Sequence, residues 1–211
     1  MENKTAVLID GGFLATIFKQ IHHKDLSPDD VISISSKIIR TGKDELFRIY
    51  YYNAPPFGKK LINPIDHSER DYSRSGLFQS MEKFHRELAE KEFLALRLGE
   101  MSFKGWKLTE DVLKKIREKT FTTITPSDLM PDFKQKAVDM RVGLDIAWLS
   151  TKKIVDTVVL LTGDNDFIPA MKFARKEGLH VAVVMMKTAK GEDTLNSDML
   201  QHADRIIHLK L

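Results

Sequence analysis

Short apolar runs alternate along the chain with stretches in which apolar residues recur every three or four positions. The first run, Thr5 to Ile9, is continuous and stops at Asp10, Gly11 and Gly12. It reads as a strand buried on both faces, followed by a tight turn. Phe13, Leu14, Ile17, Phe18 and Ile21 then recur at helical spacing, so the turn opens a helix, the first half of a βαβ unit. Ser27, Pro28, Asp29 and Asp30 form a helix start, Val31, Ile34 and Ile38 its apolar face, and Gly42 its stop. Leu46 to Tyr52 is rich in β-formers and predicts a second strand leaving through a turn at 53–56. Leu77, Met81, Phe84 and Leu88 predict an amphipathic helix to about Lys91. Phe93, Leu94, Leu96 and Leu98 predict a third strand ended by Gly99. This βαβαβ alternation predicts an α/β fold with a parallel sheet covered by helices.

Two stretches break the rhythm. Residues 57–76 are polar and irregular, which predicts a mobile loop. Residues 100–134 are the least regular. Phe103, Gly105 and Trp106 indicate a small hairpin or loop, and Leu108, Val112, Leu113 and Ile116 a short helix. Lys104, Lys107, Lys114, Lys115, Arg117 and Lys119 give the segment a basic tint, and mixed with Glu110, Asp111 and Glu118 this is more often a solvated helix face than a nucleic-acid patch. Regularity then returns. Val142 to Leu149 predicts a helix with Asp139 in or near its first turn, and Asp156 to Leu161 a fourth strand. A helix through Met171 stops at Gly178, Leu179 to Met185 is a fifth strand, and Arg205 to Leu209 is a short edge strand. One domain over 1–211 with insertions near 57–76 and 100–134, and a sheet of about five or six strands, is the expectation.

Composition narrows the chemistry. At 42% hydrophobic and 30% charged residues the chain has the make-up of a folded globular protein. The sequence has no cysteine, which excludes disulfides, thiolate metal sites and Cys nucleophiles, so a metal must be held by oxygen or imidazole. The absence of a signal-like or membrane-spanning apolar segment predicts a cytoplasmic protein without a membrane partner. The net charge of +3 leans weakly toward polyanions, and gathering carboxylates in one cleft would leave the remaining surface more basic.

The acids carry the functional signal. Val158 to Leu161 runs into Thr162, Gly163, Asp164, Asn165 and Asp166, as the first run ends in Asp10. Ligands of open parallel sheets bind beyond the carboxyl ends of the strands, where strand order reverses. If the first and fourth strands are neighbours, Asp10 and Asp164 converge there, with Asp166 two residues on and Asp139 at the start of its helix. Like charges at close range raise one another's pKa, and a hard divalent ion, Mg²⁺ or Mn²⁺, resolves the conflict. An ion-bound water is then a nucleophile for phosphodiester hydrolysis. Each acid also has a structural reading: Asp10 as a turn cap and Asp166 as the N-cap of the helix from Ile168. Asp145 lies six residues beyond Asp139, a spacing that does not share a helix face, so a buried structural or supporting role stands equally. The histidines form no ligand motif, and GxSxG, GxGxxG and P-loop signatures are absent.

The blocks VLIDGGFL, KAVDMRVGLDIAWL, VVLLTGDNDFIPAMKFARKEGLHVAVV and ADRIIHL together resemble the NYN domain, in its LabA-like branch, within the PIN-like nuclease superfamily. The resemblance spans essentially the whole chain. It implies a three-layer α/β/α PIN-like fold and a Mg²⁺- or Mn²⁺-dependent ribonuclease site built from Asp10, Asp139, Asp164 and Asp166. Lys136 matches the lysine of the family's K-G-V-D block, Thr162 and Asn165 fall where small polar residues shape the metal turn, and Asp145 has a counterpart in many relatives. Two positions depart from the family pattern. Gly11, Gly12 and Phe13 stand where many relatives carry an Asn after the first acid, and Ala137 replaces the glycine of K-G-V-D.

The expected function is a metal-dependent endoribonuclease acting on single-stranded or structured RNA. A non-catalytic RNA-binding or regulatory module of the same fold is the alternative. A haloacid dehalogenase type of phosphatase would need a second Asp where Gly12 stands. Parallel-sheet domains of this size often pair through an exposed edge or helix, which leaves a homodimer open.

Overall fold

The computed structural model describes residues 3–42 and 44–211. These residues form two compact units. The first holds the chain up to Asn53 together with Phe84–Gly99 and Ala137–Leu211. The second holds Ala54–Lys83 and Glu100–Lys136.

In the first unit, β1 (Lys4–Asp10) leads directly into α1 (Gly11–His22), then α2 (Pro28–Gly42) and β2 (Glu45–Asn53). In the second unit come the short strands β3 (Lys60–Ile62) and β4 (Glu69–Asp71). Helix α3 (Gly76–Ala89) precedes β5 (Leu94–Leu98) of the first unit. Strand β6 (Glu100–Leu108), α4 (Glu110–Arg117) and β7 (Leu129–Lys136) return to the second. The first unit closes with α5 (Val138–Lys152), β8 (Thr157–Leu161), α6 (Ile168–Lys176), β9 (His180–Met185), α7 (Ser197–Gln201) and β10 (Arg205–His208).

The central sheet has six strands in the order β10-β9-β8-β1-β2-β5, every neighbouring pair parallel. Parallel pairing leaves both faces in need of cover, which explains why residues 6–9 of β1 and 158–161 of β8 are continuous apolar runs instead of alternating. Val7, Ile9, Ile49, Tyr51, Val159, Leu161 and Val184 pack with Leu14 and Phe18 of α1, Val31 and Ile38 of α2, and Leu88 of α3. The opposite face carries Leu8, Tyr52, Val158, Leu160 and Val183, covered by α5 and α6 through Ile146, Leu149, Met171 and Ala174. The result is the three-layer α/β/α arrangement expected. From β1 the chain builds outward to β2 and β5, and later from β8 to β9 and β10. Strand order therefore reverses between β1 and β8.

Three local expectations are corrected. Gly11 and Gly12 form no separate turn, since α1 begins at Gly11 with Asp10 as its N-cap. Residues 57–76 are not a plain loop: β3 and β4 pair antiparallel and a 3-10 turn follows over Tyr72–Arg74. Residues 100–134 are more regular than their sequence, because β6 and β7 form an antiparallel ribbon. Strand β7, LMPDFKQK, contains a proline and three charges, and a two-stranded ribbon tolerates both because its outer edges need no partner.

The second unit has its own apolar centre. Phe57, Tyr72, Phe103 and Phe133 gather with ring centroids 4.6 to 6.3 Å apart. Trp106 meets Phe103 edge-on at 5.9 Å. Such tilted and edge-to-face pairs are the favoured geometry for aromatic rings.

Candidate functional site

The last residue of β1 is Asp10, and its backbone is extended where the helix begins, the conformation an N-cap requires. Its Oδ1 accepts the Phe13 N–H at 3.1 Å, and its Oδ2 accepts the Thr162 hydroxyl at 3.3 Å. Thr162, immediately after β8, is 3% exposed. Its Oγ1 accepts the Asp164 N–H at 3.2 Å. A short chain of hydrogen bonds thus runs from the Asp164 amide through Thr162 to Asp10 and fastens the two strand ends at the reversal of the sheet. Asp164 caps the next turn by accepting the Asp166 N–H at 2.9 Å. The cap of this segment is therefore Asp164 rather than Asp166, because a 3-10 turn over Asn165–Phe167 precedes α6.

Close backbone approach makes this possible. A Cβ on Gly163 would meet the Phe13 ring at 2.7 Å, so glycine lets α1 lie against the turn after β8. A Cβ on Gly11 would stand 2.5 Å from the ring of Tyr51, which is itself 1% exposed. The Tyr51 hydroxyl donates to the Gly11 carbonyl at 3.4 Å.

Electrostatics link the acids. Burial raises the Asp10 carboxyl above its ordinary range despite the donors from Phe13, Thr162 and Gly12, and the charge of Asp139 raises it further. Asp139, second residue of α5, is raised by burial and then by the charges of Asp164 and Asp166. Burial, with Asp10 nearby, also raises the Tyr51 phenol.

Asp145 lies elsewhere. With Asp139 inside the helix, six residues carry Asp145 about 240° around its axis. There its Oδ2 accepts the Tyr52 hydroxyl at 2.9 Å and Arg97 Nε at 3.0 Å. The Arg97 guanidinium also lies over the Tyr50 ring, 5.3 Å from its centroid. Sequence reading had no hold on Tyr51, Tyr52 or Arg97, which look like ordinary strand residues; their only signal is the unbroken aromatic run Tyr50–Tyr52 beside Asn53. Lys136 ends β7 in the second unit, opposite Glu100. Ala137 caps α5 with φ 62°, in the left-handed region, and so occupies a glycine's conformation.

The donors suit a hard divalent cation in kind and charge. All are oxygens, and Asn165 adds a buried Oδ1 without a hydrogen-bond partner in the same turn as Asp164 and Asp166. Among the described residues no three acidic or histidine side chains are gathered closely enough to hold an ion alone. Mg²⁺ does not demand that, since one or two carboxylates commonly bind it together with waters and phosphate oxygens.

No curated protein matches this chain. A solved structure of a protein of unknown function from Vibrio parahaemolyticus is similar over 99% of this chain and 94% of its own, with a TM-score of 0.51 and 12% identity. That likeness concerns the fold. The NYN domain matches residues 4–210. The reversal of strand order at β1 and β8, with Asp10 and Asp164 at their ends, accords with that match, and the chain belongs to the NYN domain family of the PIN-like nuclease superfamily.

Proposed function

We propose that this protein, as a LabA-like member of its family, is a metal-dependent endoribonuclease with Mg²⁺ or Mn²⁺ at Asp10, Asp139, Asp164 and Asp166. The observation that carries the reading is the hydrogen-bonded chain Asp164–Thr162–Asp10 at the crevice of the sheet, with Asp139 charge-coupled to all three other acids. Half-buried Asp10 and Asp164 each accept a backbone N–H, which holds their carboxylates at the crevice. Exposed Asp139 and Asp166 complete the negative field on the solvent side. A bound divalent ion supplies a nucleophilic water and neutralises phosphate charge. Thr162 holds Asp10 Oδ2, and Asn165 offers a further oxygen. Asp145 stays outside the chemistry and serves the fold.

A Mn²⁺-dependent cleavage assay on mixed RNAs, with thermal stability followed in parallel, tests this. Asp164→Asn is expected to lower cleavage by at least ~10²-fold and to abolish the stabilisation by Mn²⁺. Cleavage and Mn²⁺ response both unchanged in that variant would exclude the assigned site. A second reading, a non-catalytic RNA-binding module, draws on the absence of a closed three-acid cluster among the described residues. RNA binding without any cleavage by the parent protein would establish it.

A further inference from the structure

The ribbon of β6 and β7 has two unlike faces. Phe103 and Phe133 are directly paired and join the aromatic centre of the second unit. Alternation then puts their neighbours on the other side. Lys134 lies opposite Ser102 and Lys136 opposite Glu100, and Lys104 follows Phe103 at the bulge where the register of β6 shifts. All three lysines are exposed. The Lys136 amine, and after it the charge of Lys134, pushes the Lys104 pKa down, which sets the three side chains near one another. Among the described residues none of the three forms an ion pair, whereas Lys107, further along the ribbon, is neutralised by Asp132 at 3.0 Å.

The three lysines outweigh Glu100, the acid opposite Lys136, and leave this ribbon face with a net positive charge that favours an anion. The charge balance of the chain agrees. Thirteen Lys and Arg against ten Asp and Glu fall in the second unit, so the whole excess of +3 resides there and the remainder is neutral. The lysines stand on a rigid support: the aromatic pairs fix the ribbon from behind, and alternate strand positions repeat every ~6.6 Å, which suits successive phosphates of one extended strand.

We infer that the lysine face of the β6–β7 ribbon, formed by Lys104, Lys134 and Lys136, is a binding surface for the phosphate backbone of single-stranded RNA. The choice of RNA over other polyanions rests on the nuclease reading above. The contacts are to phosphate, so they carry affinity without sequence preference. Each lysine releases counterions when it meets a phosphate, which makes the surface measurable through salt.

The test measures binding of the whole chain to a fluorescein-labelled oligouridylate by anisotropy, in EDTA so that no cleavage intervenes, from low to moderate salt. The triple variant Lys104→Ala, Lys134→Ala, Lys136→Ala is expected to bind more weakly. Its slope of log affinity against log salt should fall by about 2, at ~0.7 per single-strand phosphate contact. The corresponding triple Lys→Arg variant keeps the charge and should retain the slope. If the alanine triple fails to fold by circular dichroism, the pair Lys104→Gln, Lys136→Gln replaces it, with an expected fall of about 1.4. An affinity and slope unchanged in the alanine or glutamine variant would overturn the inference. So would loss of binding to phosphatidylserine vesicles with RNA binding intact. Cleavage of unlabelled RNA with Mn²⁺ is scored separately. A parent that binds through these lysines but does not cleave fails the nuclease reading alone, and a parent that cleaves with lysine-independent binding fails the ribbon alone.

Discussion

Asp145 and Asp164 are both aspartates near the carboxyl end of a parallel sheet, and their neighbours give them opposite fates. Asp145 holds Tyr52 and Arg97 on one oxygen, so Asp145→Asn leaves a buried phenol and a half-exposed guanidinium poorly matched. The expected loss is about 1–2 kcal/mol of stability by chemical denaturation, with cleavage per folded molecule unchanged. A catalytic defect at full stability would contradict its placement. Thr162→Val tests the opposite kind of residue: it cuts the link between Asp10 and Asp164 and should lower Mn²⁺-dependent activity about 10- to 100-fold, read from the Mn²⁺ dependence of rate. Ala137 offers a third case. A left-handed alanine is strained by about 1–2 kcal/mol, so Ala137→Gly should stabilise the protein by up to ~1 kcal/mol once the extra flexibility of glycine is offset. A lower denaturation midpoint in that variant would refute the strain. Here the family glycine has a physical reason that Ala137 forgoes.

At the scale of elements, the junction of β1 with α1 depends on a missing side chain. Gly11→Ala places a methyl against the buried Tyr51 ring and is expected to cost roughly 1–3 kcal/mol. A neutral effect on the urea midpoint would show that the ring yields. The strands of the central sheet were legible because burial on both faces leaves continuous apolar runs, and their helices because Leu14, Phe18, Val31 and Ile38 recur at helical spacing. Asp10, Asp139 and Asp164 stood out by their positions at element ends. Strand β7 was not legible, because a two-stranded ribbon buries one face only in part and carries lysines on the other. Its identity is set by pairing with β6, a partner thirty residues away in no local pattern. The roles of Tyr52 and Arg97 were hidden for the same reason: only the pairing of β2 with β5 puts them beside Asp145.

For the molecule as a whole, the acids make stability depend on pH. A carboxyl with a folded pKa above its unfolded value binds its proton more tightly when folded. Unfolding free energy therefore falls as pH rises from the usual Asp value of 3.8 through the raised values of Asp10 and Asp139. Asp66, Asp71 and Asp128 act with the opposite sign, because hydrogen bonds from Ser68, Ser73 and Thr125 hold their carboxyls low. The difference between Asp139→Asn and the parent isolates the cleft. Without metal the variant should be more stable at pH 7 by a few tenths to about 1 kcal/mol, and the gap should close on acidification. A gap independent of pH would remove Asp139 from the charge cluster. The link from Thr162 to Asp10 spans 152 residues, and β1 cannot gain this neighbour until β8 exists. During synthesis, then, Asp10 emerges some 150 residues ahead of the threonine that will hold it. The pairing of Asp10 with Thr162 is thus a late event, and whatever chemistry the cleft performs has to await the closing of the sheet around its own first strand.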